Sequence, residues 1–120
     1  MCIRDSTSIL TAVGNDYSYD QVFSKQVRGL GKSGDILLAI TTSGNSKNVI
    51  KAVEAAQALG IKVIALSGNS GGQLNNVLGA NDLLLAAPSS RTARIQETHL
   101  VLLHALCLSL IHISEPTRPY

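Results

Sequence analysis

Six consecutive residues, Thr41-Thr42-Ser43-Gly44-Asn45-Ser46, carry four hydroxyl groups around one glycine. They follow an apolar run and precede a stretch of helical spacing. Where a strand gives way to a helix, the first helical turn offers unpaired N–H groups and a partial positive charge, and hydroxyls add further donors. That combination suits an anion, and a phosphate ester in particular. The loop has neither the Walker pattern nor Gly-x-Gly-x-x-Gly, and no P-loop lysine follows Gly44, which points away from ATP and NAD and towards a small sugar or metabolite phosphate. The same residues also read as an ordinary turn in which Ser46 caps a helix. A second chemical candidate lies downstream. Gln96 and His104 are eight residues apart on a helical segment, which sets them within ~80° around the axis and ~12 Å along it. An amide oxygen and an imidazole can both ligate zinc, although two donors leave the shell incomplete. The competing reading of His104, among Leu102, Leu103, Leu106 and Leu108, is a core histidine with a satisfied ring nitrogen. His99 shares that ambiguity, and Arg94 with Glu97, three apart, reads as a solvated pair.

The elements that must position these groups are legible from periodicity. Residues 34–41 and 61–66 are short apolar runs that suit strands buried on both faces. Between them, residues 46–59 place Val49, Ile50, Val53, Ala56 and Ala58 at helical spacing and stop at Gly60, where a left-handed C-cap is expected. Residues 68–72 read as a flexible loop with no assigned role, 73–78 as a short helix and 82–86 as a third strand. Alternating strand and helix imply a parallel sheet with right-handed crossovers. Residues 19–30 form an amphipathic helix and residues 92–110 a long one with an apolar majority. Three strands are few for an all-parallel sheet, so elements before them are expected to be missing.

Composition narrows the function classes. The 120 residues are 45% hydrophobic and 15% charged with a net charge of +2, which fits one modest domain and lacks the basic stripe that direct nucleic-acid binding requires. The longest uninterrupted apolar runs fall short of a membrane span, so no membrane partner is expected. Cys2 and Cys107 fall in no metal or redox spacing and imply reduced thiols in a cytoplasmic protein. Both ends break with the middle: residues 1–6 and 111–120 are similar to translated sequencing-adapter read-through, so the native domain is expected over residues 7–110 with a foreign leader and tail.

Three ordered stretches, Val13-Gly14-Asn15-Asp16-Tyr17, residues 34–46, and Thr92-Ala93-Arg94-Ile95-Gln96-Glu97-Thr98-His99, closely resemble the sedoheptulose 7-phosphate isomerases (phosphoheptose isomerases) of the sugar-isomerase SIS superfamily. The resemblance spans nearly all of residues 7–110. It implies a three-layer α/β/α sandwich around a parallel, Rossmann-like sheet, incomplete at its start. It further implies interconversion of D-sedoheptulose 7-phosphate and D-glycero-D-manno-heptose 7-phosphate, which feeds heptose into lipopolysaccharide or related glycans. By position, Thr41, Thr42, Ser43 and Ser46 would bind the sugar phosphate, Asp16 the sugar hydroxyls, and Gln96 with His104 a zinc ion. His104 would also be the catalytic proton donor or acceptor. The family's glycine-rich loop, and the helix bearing its other metal ligands and general-base glutamate, have no counterpart here. The chain by itself is therefore expected to be inactive, and the homotetramer of the family impaired. Two non-enzymatic readings of the same fold compete: a protein that binds the bacterial replication initiator, and a sugar-phosphate sensor. The former has arginine at the position of Ser43 and asparagine at that of His104, and neither substitution is present.

Overall fold

The computed structural model describes residues 2–114. Its first helix, α1 (Thr7–Asp16), was not expected from periodicity, and it starts where the Ser6 hydroxyl accepts the Ile9 N–H at 3.3 Å. Ile3, inside the segment read as a foreign leader, packs against the core. A 3₁₀ turn (Tyr19–Gln21) leads into α2 (Val22–Leu30), which buries Val22 and Val27. Then follow β1 (Ile36–Ile40), α3 (Lys47–Ala58), β2 (Lys62–Gly68), the short α4 (Leu74–Val77), β3 (Leu83–Ala87) and α5 (Thr92–Ser114). Each expected strand and helix is present, with ends displaced by a few residues. α5 continues through Ile111–Ser114, the start of the proposed tail, whereas residues 115–120 of that tail lie outside the described residues.

The three strands pair in parallel in the order β1-β2-β3, with Ile40 opposite Leu66 and Leu66 opposite Leu85. Because side chains alternate across a strand, each strand splits into two sets. Leu37, Ala39, Val63 and Ala65 turn to the face covered by α2 and α3, where they meet Val27, Ala52, Val53 and Ala56. Val53 and Val63 are almost fully enclosed, each contributing roughly 1.5–3 kcal/mol of transfer free energy. The small Ala52, Ala55 and Ala56 let α3 sit close to the sheet. Gly60 ends α3 at φ +72°, the left-handed conformation expected of it.

α5 crosses the opposite face at its carboxyl end, where Ile95 is buried against Gly68, and this gives the three-layer α/β/α arrangement. The cover is partial: Ile36 is 64% exposed and Leu38 42% on that same face. At 23 residues α5 is, by length and composition alone, long and apolar enough to cross a membrane, a test that the core helix of a soluble protein also passes; its charged residues, Arg94 and Glu97, lie near its amino end.

Asp82 ties the carboxyl end of α3 to the amino end of β2. Its Oδ1 accepts the Val63 N–H at 2.9 Å, and its Oδ2 accepts the Gln57 side-chain amide at 2.7 Å and the Gly79 N–H at 2.9 Å. Burial would raise its carboxyl pKa, but the hydrogen bonds from Gln57, Gly79 and Val63 outweigh that and hold it below the usual value. One carboxylate thus fixes α3, β2 and the approach to β3.

Candidate functional site

The four hydroxyl residues lie at the carboxyl ends of the strands, where open parallel sheets place their ligands. Strand β1 delivers Thr41 into the loop, and the ladder runs one residue further there, with Thr41 N–H donating to the Leu66 carbonyl at 3.0 Å. Thr41 is buried, and its Oγ1 lies 3.0 Å from Ser46 Oγ. Ser46 occupies the N-cap position of α3 as expected, but its hydroxyl does not cap: no side-chain cap hydrogen bond forms there. The expected capping role is replaced by the bond to Thr41. The consequence is a three-turn helix whose amino end keeps its positive potential and most of its free N–H groups. Ser43 Oγ accepts the Asn45 N–H at 3.1 Å, which folds the loop and leaves the hydroxyl proton of this exposed side chain available to a ligand. Thr42, half-buried, completes the set.

What holds this loop in shape was missed by sequence reasoning. The 68–72 loop, read as a flexible connection without a role, is packed directly behind it. A methyl group on Gly44, at φ +71°, would fall on the Gly71 carbonyl; one on Gly72, at φ +56°, would lie 2.6 Å from both Asn45 Oδ1 and the Ser43 carbonyl. Gly68 is equally confined, between Ile95 and the Thr42 carbonyl. Hydrogen bonds complete the clamp: Asn45 Oδ1 accepts the Gln73 N–H at 2.9 Å and the Gly44 carbonyl accepts the Leu74 N–H at 3.1 Å. The signal was three glycines within five residues, Gly68, Gly71 and Gly72; their partner loop, some 28 residues away, left no local trace.

The remaining expected site residues are not gathered at this loop. Asp16 is the exposed last residue of α1, where its carboxylate accepts the Asn15 side-chain amide at 3.2 Å. The next residue, Tyr17, holds its ring 3.8 Å from Lys25 Nζ, which pins that end of α1 to α2. Gln96 and His104 both project from exposed positions on α5. His104 is therefore not a core histidine; that role falls to His99, buried, with Nε2 2.7 Å from the Ser67 carbonyl. Arg94 and Glu97 form the expected solvated pair at 2.7 Å.

By themselves these donors do not fit zinc. Two ligands from one helix, ~12 Å apart along its axis, cannot close a shell, and no cluster of three or more His, Cys, Asp or Glu suited to a metal occurs among the described residues.

Comparison with known proteins gives these positions a context. A model of the SIS domain matches residues 1–68. A phosphoheptose isomerase of Dechloromonas aromatica is 59% identical over 107 residues, covering 89% of this chain and 55% of that protein. One from Neisseria meningitidis is 55% identical over 107 residues, covering 89% of this chain and 54% of the relative. Among solved structures, a phosphoheptose isomerase from Neisseria gonorrhoeae superposes with a TM-score of 0.88 at 55% identity, over 89% of this chain and 59% of that one. One from Francisella tularensis gives 0.87 at 48% identity, over 89% and 58%. The chain spans about half the length of the curated relatives it matches.

Proposed function

The chain belongs to the SIS domain family, and on that footing we propose that it is part of an aldose–ketose isomerase, with the 41–46 loop gripping the phosphate of sedoheptulose 7-phosphate. The observation that carries this reading is the Thr41–Ser46 hydroxyl pair, 3.0 Å apart beside a helix terminus that Ser46 leaves uncapped, where a side chain takes only the Val49 N–H, accepted by Asn48 Oδ1. Relatives at 55–59% identity that are named phosphoheptose isomerases support the choice of sugar phosphate. Two hydroxyls spent on each other, rather than on the helix, are poised to exchange that bond for a phosphate oxygen.

In a seven-carbon ketose 7-phosphate the reacting C1 and C2 lie at the far end from the phosphate. The loop therefore acts as a handle: binding energy at the phosphate orients a carbonyl several bonds away. Isomerisation moves one proton from C1 to C2 through an enediol, while a second proton passes between the C1 and C2 oxygens. His104 is assigned as a proton donor or acceptor in that exchange, its general-base partner lying outside this chain, and Asp16 as a partner of the sugar hydroxyls. Gln96 and His104 would serve zinc only together with donors from elsewhere, and no step is routed through a metal. The same reading places the whole protein in the cytoplasm as a homotetramer.

Titration of this chain with sedoheptulose 7-phosphate and with unphosphorylated sedoheptulose, followed by amide NMR, tests the handle. Only the phosphorylated sugar is expected to shift residues 43–49, and Thr41→Val or Ser46→Ala to weaken it about tenfold, the worth of one hydrogen bond to a charged group. Equal response to both sugars, or none to either, removes the basis of the reading. Turnover by the chain alone is expected to be absent; native-like turnover would show that the base is not elsewhere.

A further inference from the structure

Among the described residues, one buried side-chain polar atom has no hydrogen-bond partner: the hydroxyl oxygen of Ser67, a residue wholly enclosed near the end of β2. Such a group costs free energy unless something uses it, so its surroundings matter. Ser67 shares the face of Val63 and Ala65, the face covered by α3. In the β1–β2 register Ile40 lies opposite Leu66, and the Thr41 N–H to Leu66 carbonyl bond carries the ladder on. The next level therefore sets Thr41 beside Ser67, on strands about 4.8 Å apart. The orphan hydroxyl stands next to the buried half of the Thr41–Ser46 pair.

We infer that Ser67 is a positioning residue for the phosphate loop, acting through Thr41. This rests on the reading of the 41–46 loop as a phosphate site. A phosphate oxygen only accepts, so when it binds, Thr41 and Ser46 both turn their protons to it and give up the bond between them. Thr41 Oγ1, buried, is then left without a donor. The Ser67 proton, which has no acceptor in the present arrangement, is the one carried at the same level on the adjoining strand. It replaces what Thr41 loses, so the orphan hydroxyl of the empty loop becomes a satisfied one in the loaded loop.

The experiment measures inorganic phosphate affinity by calorimetry and stability by urea unfolding, for this chain and for Ser67→Ala, Ser67→Cys, Thr41→Val and the double variant Thr41→Val with Ser67→Ala. Ser67→Ala is expected to lose phosphate affinity five- to tenfold while its urea midpoint stays equal or rises, because deletion of an unpartnered hydroxyl removes a penalty from the unloaded state. Ser67→Cys, a poor donor of similar size, is expected to lose part of that affinity. In the Thr41→Val background, Ser67→Ala is expected to add nothing. Unchanged affinity in Ser67→Ala, additive losses in the double variant, or parallel loss of affinity and stability in both serine variants would each overturn the role of Ser67 and leave the loop reading standing. Failure of the unsubstituted chain to take phosphate would instead overturn the loop reading, and this inference with it.

Discussion

Replacing Gly44 by alanine separates the two physical demands made on that position. The backbone there has φ +71°, a region in which an L side chain costs roughly 1–2 kcal/mol. The added methyl also meets the Gly71 carbonyl and comes within 3.1 Å of the Gly72 nitrogen, so the 68–72 backbone must move, an overpacking penalty of about 1–3 kcal/mol. The total is about 2–5 kcal/mol. Gly34 supplies the control: its φ is +93°, yet nothing lies within 4 Å of an added methyl, so Gly34→Ala bears the first cost alone. Urea unfolding of both variants reads the difference. With a slope near 2 kcal/mol per molar, an extra 2 kcal/mol lowers the Gly44→Ala midpoint about 1 M below that of Gly34→Ala. Amide shifts in Gly44→Ala should reach Gly71, Gly72 and Gln73. Equal midpoints for the two variants, or shifts confined to residues near 44, would refute the claim that the second loop braces the first.

Two further perturbations test other parts of the frame. Asp82→Ala strands the Val63 N–H and the Gly79 N–H and leaves the Gln57 amide only its bond to the Val77 carbonyl, and with allowance for partial exposure should cost about 2–4 kcal/mol in urea unfolding. Since the folded carboxyl is held below its ordinary value, its stabilisation is complete above the unfolded value of about 3.9 and is lost as pH falls through the lower folded value. Asp82→Asn should correspondingly flatten the acid limb of the stability curve, and an unaltered limb would count against the staple. His99→Ala removes the donor to the Ser67 carbonyl and leaves a cavity between α5 and β2, for an expected loss of about 2–4 kcal/mol; a loss below about 0.5 kcal/mol would mean that α5 docks by other contacts.

Much of the architecture was readable because it is local. The unbroken apolar run Ile36-Leu37-Leu38-Ala39-Ile40 marked a strand of a parallel sheet, although burial on both faces was not met, since β1 lies at the edge of the sheet with Ile36, Leu38 and Ile40 exposed on one face. Gly60 marks a helix end by its backbone freedom alone. α1 escaped because its apolar residues make no wide stripe and none of them is buried. The hydroxyl loop was found by residue type, but the direction in which Ser46 turns depends on Thr41, and a capping serine and a ligand-facing serine are spelled alike. The glycines of the second loop carried no address, since what they approach is 28 residues away in sequence. Gln96 and His104 could be paired by spacing, whereas their exposure reflects what surrounds α5 and not what α5 is made of.

The brace between Asn45 and Gln73 also has a temporal meaning. A chain that emerges from the ribosome amino end first can assemble α3 against β1 and β2 while the 41–46 loop still lacks its outer wall. Only when the residues through Leu74 have cleared the exit can Gly71 and Gly72 settle behind Gly44, and Gln73 and Leu74 tie down Asn45 and Gly44. The hydroxyls are thus among the earlier chemical groups to be made and among the later ones to be set in place. A nascent chain with only the residues before 73 outside the exit would hold β1 paired with β2, β3 still to come, and an unformed grip.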